Sequence, residues 1–188
     1  MKDDAQLEAL LVHPKTGDIR NARLPNSLSN LFGHVMPMGL AHVAGALKAS
    51  GISVRVIDAE AEQLPMEDLA VRMEHLKPRL LGVSATTPTV HSALAVARLA
   101  KQTGAMVVIG GPQVAAMPQE TMHLAAIDFA IAGEGEVPMV RLVEALQGKL
   151  AFDDVPGLLW RDSTSAIRMN PPHVHDTLDG LAGPARDL

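Results

Sequence analysis

Five short apolar runs, at residues 8–13, 52–57, 80–84, 105–109 and 127–132, alternate with stretches whose apolar residues recur at helical spacing. The runs are rich in Val, Ile and Leu and lack strict polar alternation, which is how strands buried on both faces read. The helix-period stretches cover 37–50, 66–77, 88–102, 118–124 and 134–147. Pro37, Pro88 and Pro118 stand where a first helical turn tolerates proline, and Gly51, Gly104 and Gly148 stand where helices end. Such alternation forces right-handed crossovers and a mostly parallel sheet with helices packed against it. The expected class is therefore α/β, with a five-stranded parallel sheet over residues 1–150.

Two segments depart from the pattern. Residues 14–36 hold Gly, Asn, Ser, Pro and mixed charge with little periodicity, an unusually long first connection of the kind that carries function or motion. Beyond Leu150, residues 155–161 and 166–169 flank Asp162-Ser163-Thr164-Ser165 and read as a β-hairpin. A Pro/Gly-rich tail follows, so residues 151–188 are expected to form a hairpin and extended linker.

Composition narrows the function classes. The 188 residues include no cysteine, which removes disulfides, thiolate zinc sites and a Cys-ligated iron–sulfur cluster from this chain. Aromatic residues make up 2% of it, so the core must be aliphatic and base-stacking platforms are missing. Basic residues are scattered in a chain of net charge −5, which gives no footprint for a nucleic-acid partner. The acidic N-terminal stretch lacks the apolar region of a signal peptide, and no apolar run reaches membrane-spanning length. The expectation is a cytoplasmic protein with no membrane partner.

Small or glycine-rich turns follow three successive strands: Ser84-Ala85-Thr86-Thr87, Gly110-Gly111-Pro112-Gln113 and Gly133-Glu134-Gly135-Glu136. In a parallel sheet such turns share the carboxyl edge, where ligands bind near the switch in strand order. Glycine admits a ligand close to the backbone, and Ser and Thr add hydroxyl donors. Tight turns between strand and helix use glycine for their own geometry as well, so it is the coincidence of three that points to a ligand. The third turn is no ordinary phosphate cradle, because two carboxylates repel phosphate. Glu136 is expected to favour the positive end of the following helix, and either acid could instead accept hydrogen bonds from ligand hydroxyls or amides. No G-x-x-x-x-G-K-[ST] is present, and the first strand does not lead into G-x-G-x-x-G. Asp58 reads as a cap at the end of the second strand.

Pro37-Met38-Gly39-Leu40 with AHVAGALKASGISVRVIDA, then GGPQVAAMPQETM, DFAIAGEGE and VPGLLWRD, then NPP and LDGLAGPARDL, follow one another in order and at natural spacing. Together they resemble the N-terminal cobalamin-binding domain of B12-dependent radical SAM enzymes, over nearly all of the chain beyond Met36. The resemblance implies a Rossmann-like sheet of flavodoxin-like strand order, with helices on both faces and the corrin ring over its carboxyl edge. It implies that Ser84, Thr86 and Thr87 contact hydroxyls and phosphate of the nucleotide tail. Gly110, Gly111 and Pro112, with Gln113 beside them, would leave room for the dimethylbenzimidazole. Gly133, Glu134 and Gly135 would line its far side, and Pro37, Met38, Gly39 and Leu40 would lie under the corrin. Cobalamin, as methylcobalamin or hydroxocobalamin, is the implied cofactor. SAM and a 4Fe-4S cluster would belong to a radical SAM domain or partner chain.

The D-x-H-x-x-G motif of other B12 proteins is absent. His42 and Gly45 keep the H-x-x-G spacing, but Leu40 stands where Asp would be, so the carboxylate that orients a ligating imidazole is missing. His42 is expected on a helix face. His34, in the long loop, is the better-placed candidate for the lower face of cobalt, with Met38 as an alternative shield. His173 and His175 read as solvated linker residues. Two other functions compete with a module of a radical SAM methyltransferase-type enzyme. One is a stand-alone cobalamin carrier or sensor. The other is a flavodoxin-like module binding FMN or a nucleotide, which the scarcity of aromatics disfavours.

Overall fold

The computed structural model describes residues 7–15, 36–172 and 179–187. The strands are β1 (Ala9–His13), β2 (Val54–Asp58), β3 (Leu80–Ser84), β4 (Met106–Gly110), β5 (Phe129–Ile131), β6 (Leu158–Arg161) and β7 (Ile167–Met169). The helices are α1 (Met38–Ala49), α2 (Met66–Leu76), α3 (Val90–Gln102), α4 (Pro112–Ala116), α5 (Pro118–Met122) and α6 (Glu136–Leu146). The sheet order is β2-β1-β3-β4-β5-β6-β7. Its first five strands are parallel in the flavodoxin-like order, with the switch point between β1 and β3.

The alternation of side chains along each strand divides the core into two layers. Leu10, Val12, Leu81, Val83, Val107, Ile109 and Ala130 face a layer built with α2 and α3, whose Leu69, Met73, Ala93 and Ala97 are buried there. Ala9, Leu11, Leu80, Val108, Phe129 and Ile131 face the opposite layer, with Leu40, Ala44 and Leu47 of α1 and Met139, Leu142 and Val143 of α6. The helices do lie on both faces.

The hairpin forms, and it extends the sheet: β6 pairs antiparallel with β5, then β7 with β6. Leu158 and Trp160 thereby join the α1/α6 layer. Arg161 fastens the hairpin by donating to the carbonyls of Ile127 and Met122. Among the described residues, the aromatics gather at this end, with Phe129 and Phe152 ring centroids 5.3 Å apart and Phe152 and Trp160 6.2 Å apart.

The segment after β4 differs from expectation. Helix is present over 118–122 as expected, but a second short helix, α4, begins directly at Pro112. Pro112 follows Gly111 as a first-turn proline, a start signal that was legible in the sequence.

Part of the tail also packs back on the fold. The backbone N–H of Ala185 donates to the Ala41 carbonyl at 2.9 Å, Lys48 pairs with Asp187, and Gly183 lies so close to Gly45 that a Cβ there would overlap its carbonyl. This ion pair holds the Asp187 carboxyl below its ordinary value.

Candidate functional site

Alternation places Leu11 and His13 of β1, Gly82 and Ser84 of β3, Val108 and Gly110 of β4, and Ile131 and the following Gly133 on the α1/α6 face. Toward the carboxyl edge, three adjacent strands therefore change from the layer-filling pattern to Ser84, Gly110 and Gly133. Ser84 and Gly110 are register partners. The loss of side-chain volume there leaves a groove between the sheet and helices α1 and α6.

The groove has a volume of about 260 Å³. Its walls are Leu11, Val108 and Ile131 from the sheet, Leu40 and Val43 from α1, and Met139 from α6. Ligand pockets for drug-sized molecules run from roughly 300 to 1,000 Å³. This groove suits one ring system of a larger ligand whose remainder stays outside. Among the described residues, no Lys, Arg or aromatic residue lines it, while Glu134 and Glu136 do. A phosphate or a stacked flavin ring has no support in those walls.

The sequence-derived site residues fall into groups. Gly39, Leu40, Ser84, Gly110, Gly111, Pro112, Gly133, Glu134 and Gly135 line the groove. Pro37 and Met38 are at the start of α1 without lining it, and Met38 is exposed. Thr86 and Thr87 are exposed beyond the end of β3. The Thr86 hydroxyl is 2.9 Å from that of Thr89, whose oxygen in turn accepts from the Thr86 backbone N–H at 2.9 Å, so a local capping arrangement holds it. Gln113 is buried in α4, outside the groove, with its Oε1 unpartnered. His34 lies outside the described residues, as do His173 and His175. His42 is on α1, half-buried, and does not line the groove. Asp58 caps the turn after β2, accepting from the Ala61 backbone N–H at 3.0 Å.

Two further lining residues matter: Gly82, which the sequence did not single out, and Glu136, for which it left a helix-end charge and a ligand acceptor both open. Gly82 sits mid-strand, where a Cβ would come within 2.6 Å of Leu11 Cδ2. A glycine inside an apolar strand marks this kind of close approach. Glu136 opens α6 as expected, but its Oε2 is buried without a hydrogen-bond partner, so it does not serve as a satisfied cap.

A family profile for the B12 binding domain matches residues 28–143. This chain belongs to the B12-binding domain family. The matched span runs from the first connection through most of α6 and takes in all three turns that border the groove. The B12-binding domain is 33% identical over 156 residues to an uncharacterized methyltransferase, PH0819, of Pyrococcus horikoshii, a match covering 81% of this chain and 34% of the relative. It is 26% identical over 184 residues to the cytidylyl-2-hydroxyethylphosphonate methyltransferase of Streptomyces wedmorensis, covering 84% of this chain and 34% of that protein. The chain thus spans about a third of the length of these relatives.

Solved structures share the fold. The cobalamin-dependent S-adenosylmethionine radical enzyme OxsB, with aqua-cobalamin and S-adenosylmethionine bound, superposes with a TM-score of 0.75 at 15% identity, over 96% of this chain and 24% of OxsB. The radical S-adenosylmethionine methyltransferase TsrM from Kitasatospora setae, with cobalamin and a [4Fe-4S] cluster, gives a TM-score of 0.70 at 21% identity, over 95% of this chain and 31% of TsrM. The α/β class expected from the alternation, and the Rossmann-like sheet implied by the resemblance, both hold for this B12-binding domain. Among the described residues, no helix is long and apolar enough to cross a membrane.

Proposed function

We propose that this domain holds cobalamin with the dimethylbenzimidazole off cobalt and buried in the groove, the corrin lying over the carboxyl edge of the sheet. The observation that carries this reading is the retreat of three adjacent strands to Ser84, Gly110 and Gly133 on one face, which opens a slot for a single ring system. Its apolar walls suit the benzimidazole, and its volume leaves the corrin outside. The exposed Met36 and Met38 at the start of α1 supply apolar surface for the ring. The corrin brings the cobalt chemistry, and the chain binds and orients it.

The domain would serve a B12-dependent radical SAM methyltransferase-type enzyme, with SAM and the 4Fe-4S cluster held by a further domain or a partner chain. The family membership and the methyltransferase relatives support that assignment. The flavin reading loses support because, among the described residues, no aromatic side chain lines the groove and two carboxylates do.

The test is the absorption spectrum of the protein after mixing with hydroxocobalamin and desalting. Retention in stoichiometric amount with a base-off spectrum is expected, and His42→Ala should retain the cofactor equally well. Elution without the corrin bands would overturn the reading. A base-on spectrum would remove the groove from it.

A further inference from the structure

Among the described residues that line the groove, Glu136 alone has a buried side-chain polar atom without a hydrogen-bond partner. Its side chain begins at the first position of α6, directly after Gly135, where a Cβ would come within 2.9 Å of Val43 Cγ2. That close approach wedges the first turn of α6 against α1. The residue is only 9% exposed, and its Oε2 is buried without a hydrogen-bond partner. The groove it borders has Leu40, Val43 and Met139 among its walls, and Glu136 also borders a second cleft between α1 and α6 with Ala46, Ala49 and Val140. A buried acceptor without a donor costs stability, and groups that break this rule concentrate where a ligand completes them. The adjacent Glu134 is exposed and can be satisfied by water.

We propose that the Glu136 carboxylate is the specificity-determining acceptor of the groove, taking a hydrogen bond from a ribose hydroxyl of the cobalamin nucleotide tail. This rests on the cofactor reading above and deepens it. The groove otherwise offers apolar walls, the Ser84 hydroxyl and turn backbone. A single buried acceptor therefore selects a ligand that carries a donor at the matching depth and rejects one that does not, because the unmatched group stays desolvated and unpaired. A purely structural Glu136 would show the opposite pattern, since its loss would weaken the fold and every ligand alike.

The experiment compares the wild type, Glu136→Leu and Glu136→Gln with two probes: hydroxocobalamin, and cobinamide, which has the corrin but lacks the phosphate, ribose and base. Leu fills a similar space without an acceptor, and Gln keeps one. Glu136→Leu should raise the melting temperature of the ligand-free protein and weaken hydroxocobalamin tenfold or more, about 1.4 kcal/mol. Its affinity for cobinamide should match that of the wild type, and Glu136→Gln should recover most of the lost hydroxocobalamin affinity. Wild-type hydroxocobalamin affinity in Glu136→Leu would overturn the proposal. So would equal losses for both probes, or a lowered melting temperature in both variants. A wild-type protein that retains no hydroxocobalamin would instead overturn the cofactor reading on which the proposal stands.

Discussion

Gly110 and Gly111 are neighbours of identical composition with different physical duties. Gly111 has φ +97, a left-handed conformation that an L side chain rarely adopts, and a Cβ there would come within 2.7 Å of the Ala85 carbonyl oxygen and 2.9 Å of Ser84 Oγ. It lets the turn after β4 lie against the turn after β3. Gly110 has nothing within 4 Å of where its Cβ would be, and that space belongs to the groove. Gly111→Ala is therefore expected to destabilise the protein by about 1–3 kcal/mol, read as a lowered melting temperature. Gly110→Leu should keep the melting temperature and weaken hydroxocobalamin tenfold or more, roughly 1.4 kcal/mol. Equal effects of the two substitutions on stability would refute this division of labour. The sequence marks both glycines, yet it cannot separate them, because the distinction lies in a backbone angle and in contacts across the turn. Glu136 was ambiguous for a related reason: a Glu that opens a helix reads as a favourable end charge, and its missing partner shows only in three dimensions.

At the scale of elements, the strands were legible as short apolar runs buried on both faces, and the long helices by the 3.6 period of their buried residues. Strand β3 and the ends of α1, α3 and α6 fall within two residues of the expected ranges. The short α4 (Pro112–Ala116) directly follows Gly110-Gly111, so its residues read as part of the glycine-rich turn after β4. The hairpin was legible, but its attachment was not: local turn chemistry announces a hairpin without saying which sheet edge it will join. Its turn is held by Asp162. The Thr164 hydroxyl, then Arg168, then the backbone N–H groups of Thr164 and Ala166 hold this carboxyl well below its ordinary value. A depressed carboxyl adds stability above its unfolded value of about 3.9, and that contribution is lost as pH falls below it toward the folded value. The amides of Thr164 and Ala166 should therefore exchange faster, relative to intrinsic rates, as the pH is lowered below that value. In Asp162→Asn this pH dependence should vanish; persistence of it would assign the effect to another group.

For the whole molecule, reductive SAM cleavage requires an electron from an iron–sulfur cluster, and a chain of 188 residues without cysteine has no thiolates to hold one. Anaerobic incubation with SAM, a strong reductant, iron and sulfide should yield no 5′-deoxyadenosine above a protein-free control. A yield above it would contradict the division between a cofactor-holding unit and a cluster-bearing one. The two faces of the sheet are also unequal: the α2/α3 layer is filled to the strand ends, and the α1/α6 layer stops short. Helix α1 separates that incomplete layer from the tail. Leu40 and Val43 look into the groove, while Ala41, Gly45 and Lys48, spaced along another stripe, meet Ala185, Gly183 and Asp187. The same rod is thus a wall on one side and a mooring on the other.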